Sequence, residues 1–431
     1  MAGFTPDGVA LADVFSNCLD LLSYSSVSNE FGLDNRILST KLDVERTLLL
    51  HWAERIGLLK DTSDKQLGND SIKLLLKQML SGIQTLLSDE QNLQHRYGLK
   101  QINRGEAPMV EPIFSKSRIE TATAHFNRLQ LNRGYREYHH KEIPLVAKVL
   151  WAAHGSEKFD KPIHNLSYFI TRLNTIVPHS ADAITKLIRG DFDAVDKADS
   201  LQLILKAAAR SEAQVANLTE EKLRRDTGNR ILDLIWFRIM DDRRDAIEIA
   251  HPKTFDWALY RGLDIGYDDL SEWPASGSGI SWIYGRPGCG KSTLMRHGFY
   301  HRKTQRLLKI WAGLSTFAQS SFFFWCLGTP EQRSQECLYR ALLFNFLESM
   351  RCLIIPEVLP RMWKEAYGSA GRLINLPSQA EVKQTFESSL DYWTFHINGV
   401  SLSMVLTSMR AAILRPFAYF NSSREAPRPR L

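Results

Sequence analysis

The stretch at residues 285–292 constrains the fold of this chain more than any other. Its sequence, GRPGCGKS, fits the phosphate-binding pattern G-x-x-x-x-G-K-[ST]. The apolar segment at 279–284 predicts a short strand ahead of it, and residues 292–296 predict the first turn of a helix. Strand, glycine-rich loop and helix in this order are the context that the pattern requires. The sequence therefore predicts a loop that binds the phosphates of a nucleotide, the alternative being a chance match in a glycine-rich turn.

The residue types of this loop predict how it binds. Glycines let the backbone approach a phosphate, and free amides at the helix start face the anion. Hydrogen bonds to a charged partner contribute about 1.5–3 kcal/mol each, against about 0.3–1 kcal/mol for the helix dipole, so donor geometry should dominate. The predicted cofactors are ATP or GTP with Mg²⁺, and Ser292 is placed to ligate the metal. The predicted nucleotide-binding residues are Gly285, Arg286, Pro287, Gly288, Cys289, Gly290, Lys291, Ser292 and Thr293.

Composition limits the classes of protein to which the chain can belong. A length of 431 residues predicts two or three domains, and 44% apolar residues suffice for their cores. The net charge of +6 is mild and scattered, so nucleic acid is not an expected partner. The five cysteines show no CxxC spacing, which is typical of a reducing compartment without structural zinc. No signal peptide and no apolar run of about 18–20 residues is found, which predicts a soluble, cytoplasmic protein.

Helical periodicity dominates the first half of the chain. Residues 9–24 predict a first helix, Asp34 can cap a second, and Asn69 or Asp70 can cap a third. The third has an apolar stripe of Ile72, Leu75, Leu76, Met79, Ile83 and Leu86. A polar loop is predicted at 101–116, and later helices are predicted at 147–151, 166–173, 183–188 and 201–209. These stripes predict the core of a helical bundle.

Several motifs in this half occur in a fixed order. They are VFSNCLD at 14–20, FGLD at 31–34, KLD at 41–43 and Trp52, with looser matches at 151–152, 169–178 and 200–208. Over roughly residues 8–215 the chain resembles the HeLo domain, the helical prion-inhibition and propagation domain of fungal heterokaryon-incompatibility proteins. The resemblance implies a death effector of fungal cells.

Some HeLo domains permeabilise membranes through a freed apolar N-terminal segment. Here Thr5-Pro6-Asp7 and Asp13 interrupt that segment, which leaves it too short to span a bilayer. Whether this domain forms pores is therefore left open. The predicted role is a regulatory helical domain that binds protein partners or self-associates, and membrane contact is left open.

The elements around the phosphate loop also follow a recognisable order. A charged run at 240–247 and the segment 254–257 precede the loop. A predicted buried strand at 322–325 follows, and then a helix that should start at Thr329-Pro330-Glu331 with an inner stripe of Leu338, Leu342, Leu343 and Phe346. This order resembles the NACHT module, the nucleotide switch of NLR-like signalling proteins, which is often preceded by a HeLo domain. The resemblance implies a P-loop fold with residues 254–257 beside the nucleotide base.

One element of a hydrolysing P-loop enzyme is missing. Such enzymes need a second apolar strand that ends in an acid to hold Mg²⁺, and NACHT proteins have a motif like apolar-Asp-Gly-Leu-Asp-Glu there. No Asp or Glu occurs between Asp391 and Glu425. Synonymous codons for residues 402–410 can be chosen so that a shifted reading frame encodes Val-Asp-Gly-Leu-Asp-Glu. We therefore hypothesise that the end of the chain is an out-of-frame translation, which sequencing of the transcript would test.

The sequence thus predicts an α-helical bundle N-terminal domain followed by an incomplete α/β P-loop NTPase-like domain. The predicted divisions are a HeLo-like domain at 1–215, a helical linker at 216–272, a partial NACHT domain at 273–394 and an aberrant or disordered tail at 395–431. The predicted function is NLR-like fungal signalling in heterokaryon incompatibility and regulated cell death. Nucleotide binding is expected, and enzymatic turnover is left open because the acid is missing. The alternative is a non-enzymatic helical adaptor with a degenerate nucleotide module.

Overall fold

The structure is a computed structural model of the chain. It describes residues 6–22, 24–26, 32–59, 69–87, 99–101, 113–114, 116–128, 160–178, 180–209, 211–259, 283, 285–313, 317–325, 327–349, 354–368, 375–396 and 401–407. The chain divides into two compact units, Met1–Arg224 and Arg225–Leu431.

The first unit is built mainly from helices. They are α1 (Pro6–Leu21), α2 (Gly32–Arg55), α3 (Asp70–Leu87), α4 (Lys116–Arg128), α5 (Asp160–Ile176), α6 (Ala181–Phe192) and α7 (Ala198–Ala208), and α8 (Ala213–Ile235) contributes residues to both units. Strands β1 (Tyr24–Ser26) and β2 (Leu99–Gln101) pair antiparallel, with Tyr24 opposite Gln101. The helical N-terminal domain that the sequence predicts is confirmed.

Aromatic side chains form the centre of this unit's core. The ring of Phe15 in α1 lies 6.1 Å from that of Trp52 in α2 and 5.8 Å from that of Phe126 in α4. All three side chains are fully buried. The buried thiol of Cys18 donates to the Leu80 carbonyl at 3.3 Å, which joins α1 to α3. Burial of each large side chain contributes about 1.5–3 kcal/mol, so these contacts hold the bundle together.

The starts of two helices refine the prediction. Helix α1 begins at Pro6, three residues before the predicted start at residue 9, because a proline in the first turn lacks only an N–H that has no intrahelical partner. Helix α3 begins after Asn69, whose Oδ1 accepts a hydrogen bond from the Ser71 amide at 2.9 Å, which confirms Asn69 as the cap. The predicted stripe is wrong at Leu75, which is 40% exposed. The buried residues of α3 are Leu76, Leu80, Ile83 and Leu87.

The later helices of this unit follow the prediction closely. The patterns at 166–173, 183–188 and 201–209 correspond to α5, α6 and α7. Helix α6 is capped by Ser180, whose hydroxyl accepts a hydrogen bond from the Ala183 amide. The pattern at 147–151 lies outside the described residues.

Two helical glycines of this unit make a matched pair for a stability test. A Cβ at Gly82 in α3 would lie 2.7 Å from Cε1 of Phe169 in α5, whereas a Cβ at Gly190 in α6 would meet nothing within 4 Å. We predict that Gly82→Ala destabilises the first unit by about 1–3 kcal/mol through overpacking. Gly190→Ala should stabilise it by about 0.5–1 kcal/mol, because alanine has the higher helix propensity. Denaturant unfolding measures both, and a stabilising Gly82→Ala would contradict the tight contact.

The second unit combines helices with a parallel pair of strands. Its helices are α9 (Asp242–Ala246), α10 (Asp256–Leu259), α11 (Lys291–Tyr300), α12 (Arg302–Ala312), α13 (Gln335–Ser349), α14 (Ile355–Val358), α15 (Pro360–Gly368) and α16 (Gln379–His396). Strands β3 (Phe317–Phe323) and β4 (Ser401–Thr407) are parallel, with Phe317 opposite Ser401. Parallel strands need a crossover connection, and helices α13 to α16 lie between these two in the chain.

Three predictions for the second unit differ from the structure. The strand predicted at 322–325 begins earlier, at Phe317. The helix start predicted at Thr329-Pro330-Glu331 is wrong, because residues 331–333 form a 3₁₀ turn and α13 starts after Ser334, whose hydroxyl accepts from the Cys337 amide at 3.1 Å. Within the predicted tail at 395–431, residues 401–407 form β4, since their Met-Val-Leu-Thr run favours a strand.

The inner stripe predicted for α13 is confirmed. Its four members, Leu338, Leu342, Leu343 and Phe346, are buried in the core of the second unit. Residues Val382 and Phe386 of α16 belong to the same core. The hypothesis of an out-of-frame end stays a prediction, and residues 408–431 of the predicted tail lie outside the described residues.

Candidate functional site

The loop at 285–290 depends on glycine at three positions. Gly288 and Gly290 have φ angles of 78° and 85°, which an L side chain rarely adopts. A Cβ at Gly285 would lie 2.8 Å from the sulfur of Cys289. Gly290 directly precedes α11, and its carbonyl accepts a hydrogen bond from the Leu294 amide at 2.8 Å. The backbone therefore favours glycine at 288 and 290, and at 285 a glycine leaves room for the Cys289 side chain.

The lysine of the pattern folds over this loop. Its Nζ donates to the carbonyl oxygens of Gly285 at 2.7 Å and Arg286 at 2.8 Å, and lies 3.8 Å from Cys289 Sγ. An ammonium has three donors and no acceptor, so these carbonyls hold the cation at the mouth of the loop. Ser292 and Thr293 follow in the first turn of α11. Residues 285–289 are exposed, so the loop is open to an incoming anion.

An aromatic side chain lies beside the loop. Phe255 Cζ would be 3.6 Å from a Cβ built on Gly290, and its ring is 5.8 Å from the ring of His297 in α11. The structure thus brings one member of the predicted segment 254–257 next to the loop. Trp257 is 42% exposed. Of the strand predicted at 279–284 only Ile283 is described, so that prediction lies outside the described residues.

The set of candidate ligands for Mg²⁺ is incomplete among the described residues. Strand β4 follows α16 and pairs with β3, and its sequence SLSMVLT contains no carboxylate. Within the described ranges no group of three or more His, Cys, Asp and Glu residues could hold a metal ion. The glycines and Lys291 are residue types that suit a phosphate chain. For the metal, the described residues supply the Ser292 hydroxyl, and β4 adds no carboxylate.

The motifs of the first unit that resemble HeLo are structural. Asp43 in α2 is buried, and its Oδ1 accepts a hydrogen bond from Arg46 at 2.9 Å while Oδ2 accepts one from the Phe114 amide at 2.7 Å. Phe15 and Trp52, from the same motifs, form the aromatic core. These residues fix the positions of the helices, so the motifs report the fold of the unit.

A charged cluster that the sequence did not predict joins three helices of the first unit. Arg118 in α4 donates to Glu54 in α2 and to Asp191 in α6. His51 Nε2 lies 2.5 Å from the other oxygen of Asp191, and burial lowers the pKa of His51 although Asp191 favours its protonated form. His51 is 1% exposed and the Asp191 side chain is 8% exposed. In the sequence, these charges are indistinguishable from a solvated helix face.

A second polar cluster lies around Glu45 of α2. Both carboxyl oxygens of Glu45 are buried, and the nearby Ser167 hydroxyl favours the charged form of this carboxyl less than burial opposes it. The nearby Glu212 accepts a hydrogen bond from the Ser167 hydroxyl at 2.5 Å. Burial raises the pKa of Glu45 well above its ordinary value of 4.5, and the Glu212 carboxylate raises it further. Burial also raises the pKa of Glu212.

These raised pKa values predict a pH dependence of stability. The folded unit retains protons that the unfolded chain releases above about pH 4.5, so the free energy of unfolding should fall as the pH rises from there through the folded pKa values. Glu45→Gln removes one of these groups and should flatten the slope. The free energy of unfolding of the variant minus that of wild type should increase by more than about 1 kcal/mol from about pH 5 to about pH 9. The reason is that wild type must then bury a costly carboxylate charge. Thermal unfolding measured across that range tests this.

Glu120→Gln is the matched control, because Glu120 is exposed on α4 of the same unit. It should leave the pH profile of unfolding unchanged. A Glu45→Gln profile that runs parallel to wild type would contradict the assignment of the pH dependence to Glu45.

Two family models match the chain. Residues 7–204 match HeLo, described as prion-inhibition and propagation. Residues 265–393 match the N-terminal model of nephrocystin 3, and this range includes the phosphate loop. The first match shows a HeLo domain at the N-terminus of this chain. The second covers the region that resembles NACHT in sequence without confirming a NACHT module.

Two curated relatives come from Podospora anserina. Heterokaryon incompatibility protein s is 22% identical over 222 residues, which cover 51% of this chain and 74% of the relative. Heterokaryon incompatibility protein S is 22% identical over 216 residues, which cover 50% of this chain and 72% of the relative. The N-terminal half of this chain is thus similar in sequence to two heterokaryon incompatibility proteins.

Solved structures of the HET-s N-terminal domain also match. One is 19% identical, with a TM-score of 0.35, and covers 49% of this chain and 96% of its own. A mutant of the same domain is 19% identical, with a TM-score of 0.33, and covers 49% of this chain and 98% of its own. Across the described part of the chain, no helix combines the length and apolar content needed to cross a membrane.

Proposed function

We propose that this chain is an NLR-like fungal signalling protein, in which a HeLo effector domain is coupled to a NACHT-type nucleotide switch. Its output would be of the heterokaryon-incompatibility or regulated-cell-death type. The proposed divisions are those expected from the sequence, with HeLo at 1–215, a linker at 216–272 and the nucleotide module at 273–394. The match of residues 7–204 to HeLo supports the effector half.

The phosphate loop is the observation on which the switch rests. Gly288 and Gly290 adopt positive φ angles directly before α11, and the Lys291 ammonium lies within 2.8 Å of two loop carbonyls. A bound phosphate would replace the two loop carbonyls as the acceptor of the Lys291 hydrogen bonds. Charge-assisted bonds of this kind are about twice as strong as neutral ones. The free amides at the start of α11 would bind the same anion.

Nucleotide binding would act on the protein by changing populations. If ATP or GTP binds one conformation of the module more tightly, it shifts the chain toward that conformation by the difference in affinity. The HeLo domain would transmit the shift through protein partners or self-association. Mg²⁺ would bind at Ser292 and neutralise phosphate charge. The proposal covers nucleotide binding and leaves turnover open, because β4 has no acid to complete the metal site.

The missing acid favours a second candidate, a helical adaptor whose nucleotide module is degenerate. A binding titration separates the two. The full chain is titrated with fluorescent ATP and GTP analogues, with and without Mg²⁺, and the same titration is repeated on Lys291→Ala. Saturable binding that depends on Lys291 supports the switch. Equal, negligible binding by both proteins supports the adaptor.

A further inference from the structure

A cavity of about 920 Å³ lies along one face of the helix that follows the phosphate loop. Thr293, Arg296, His297 and Tyr300 of α11 line it, and they recur at the three- and four-residue steps of one helix face. At 1.5 Å per residue, this face extends about 10 Å from the loop to the corner between α11 and α12. The volume is that of a site for a small molecule.

The lining is strongly basic. Arg296, Arg302, Lys303 and Arg306 line the cavity together with His297 and His301, and none of the described lining residues has a carboxylate. Arg302 and Arg306 are exposed on the first turns of α12. Four permanent cations around one cavity repel one another, and an anion with several charges relieves that repulsion.

The histidines complete the lining. The His297 ring lies 5.0 Å from the His301 ring on one side and 5.8 Å from Phe255 on the other. His297 Nε2 is buried and has no hydrogen-bond partner among the described residues. Arg296 donates to the Ile247 carbonyl and Lys303 to the Leu259 carbonyl, so the backbone fixes both cations in place. Cations fixed by backbone hydrogen bonds and a buried ring nitrogen without a partner are features of a preorganised binding site.

We infer that this cavity binds a small polyphosphorylated molecule, with several phosphate groups clustered on a compact scaffold. The base and ribose of a nucleotide in the loop are uncharged and would offer no charge to pair with Arg302 and Arg306, whereas several phosphates would pair with these arginines. Arginine favours this chemistry because its guanidinium donates to phosphate oxygens in pairs. The cavity shares Thr293 with the proposed nucleotide site, but its four cations lie outside residues 285–293, so the inference and the proposed switch can fail separately.

Inositol hexakisphosphate, titrated calorimetrically into the full chain, is the probe. We expect saturable binding that inorganic phosphate reproduces only weakly. Arg306→Glu should weaken the affinity by about tenfold or more, since it replaces a charge-assisted hydrogen bond with repulsion. Lys309→Glu makes the same change of charge on exposed α12 outside the cavity and should alter the affinity by less than about twofold. Equal weakening by both variants would indicate nonspecific attraction to a basic protein and overturn the inference.

Two further arms define the source of the phosphates and the independence of the site. Vesicles of phosphatidylcholine with and without phosphatidylinositol bisphosphate test whether the phosphates belong to a lipid headgroup. The inference is supported if the chain binds these vesicles or the free probe and if Arg306→Glu weakens that binding. Lys291→Ala should retain probe binding even if nucleotide binding is lost, which separates this site from the proposed switch. Competition by ATP that disappears in Lys291→Ala would assign the cavity to the nucleotide and overturn the inference, as would no binding in either arm.

Discussion

Lys291→Ala is expected to reduce the affinity of the full chain for ATP or GTP analogues by roughly 100-fold. The Lys291 ammonium already lies 2.7 and 2.8 Å from two loop carbonyls, so it needs only a small movement to reach a phosphate. Two charge-assisted hydrogen bonds at the lower end of their usual range, about 1.5 kcal/mol each, correspond to about this loss. The loop amides remain in the variant, so weak binding should persist.

The control for this experiment is Lys309→Ala, which removes a lysine from an exposed position on α12. Its nucleotide affinity should equal that of wild type, and both variants should unfold at the wild-type temperature. If Lys291→Ala binds the nucleotide analogues as tightly as wild type, the proposal that residues 285–293 bind nucleotide is wrong. A loss shared by both lysine variants would point to a general effect of charge.

Arg118→Ala should lower the free energy of unfolding of the first unit by about 3–5 kcal/mol, the usual cost of removing one partner from a buried ion pair. Arg118 bonds Glu54 and Asp191 and also donates to the Leu187 carbonyl at 3.4 Å. Its loss leaves Asp191, with a side chain only 8% exposed, without a cation. Denaturant unfolding followed by circular dichroism measures the effect on the first unit.

A surface pair provides the comparison for Arg118. Arg189 and Glu221 form an ion pair at 3.2 Å, with side chains that are 59% and 54% exposed. Arg189→Ala should lower the free energy of unfolding by less than about 1 kcal/mol. The loss of unfolding free energy in Arg118→Lys should lie between those of the two alanine variants, because a lysine keeps the charge but lacks the forked guanidinium that reaches two carboxylates. Equal costs for the alanine variants at positions 118 and 189 would contradict the importance of the buried cluster.

Sequence periodicity located the helices where their apolar faces are continuous. Leu338, Leu342, Leu343 and Phe346 repeat at helical spacing and are buried as predicted, because one face of α13 packs into the core. The start of the same helix was predicted wrongly, since both Thr329 and Ser334 are chemically competent to begin one. Only the fold of the chain around residues 331–333 selects Ser334 as the cap.

The positions of buried charges could not be predicted from the sequence. His51, Glu54 and Arg118 have the composition of a solvated face, and their burial depends on α2, α4 and α6 meeting at one point. Gly82 shows the same limitation. In the sequence it only weakens a helix, whereas in the structure it admits the ring of Phe169 at a distance that a Cβ would forbid.

The sequence by itself determined the glycine-rich turn before α11 and the helical character of the first unit, because glycines and apolar spacing encode local geometry directly. The tertiary structure decided which surfaces that geometry creates. It brought Phe255 to the loop, paired β3 with β4 and gathered Arg296, Arg302 and Arg306 around one cavity. These contacts join residues far apart in the chain or on different helices, so they depend on how whole elements pack and on no local pattern of residues.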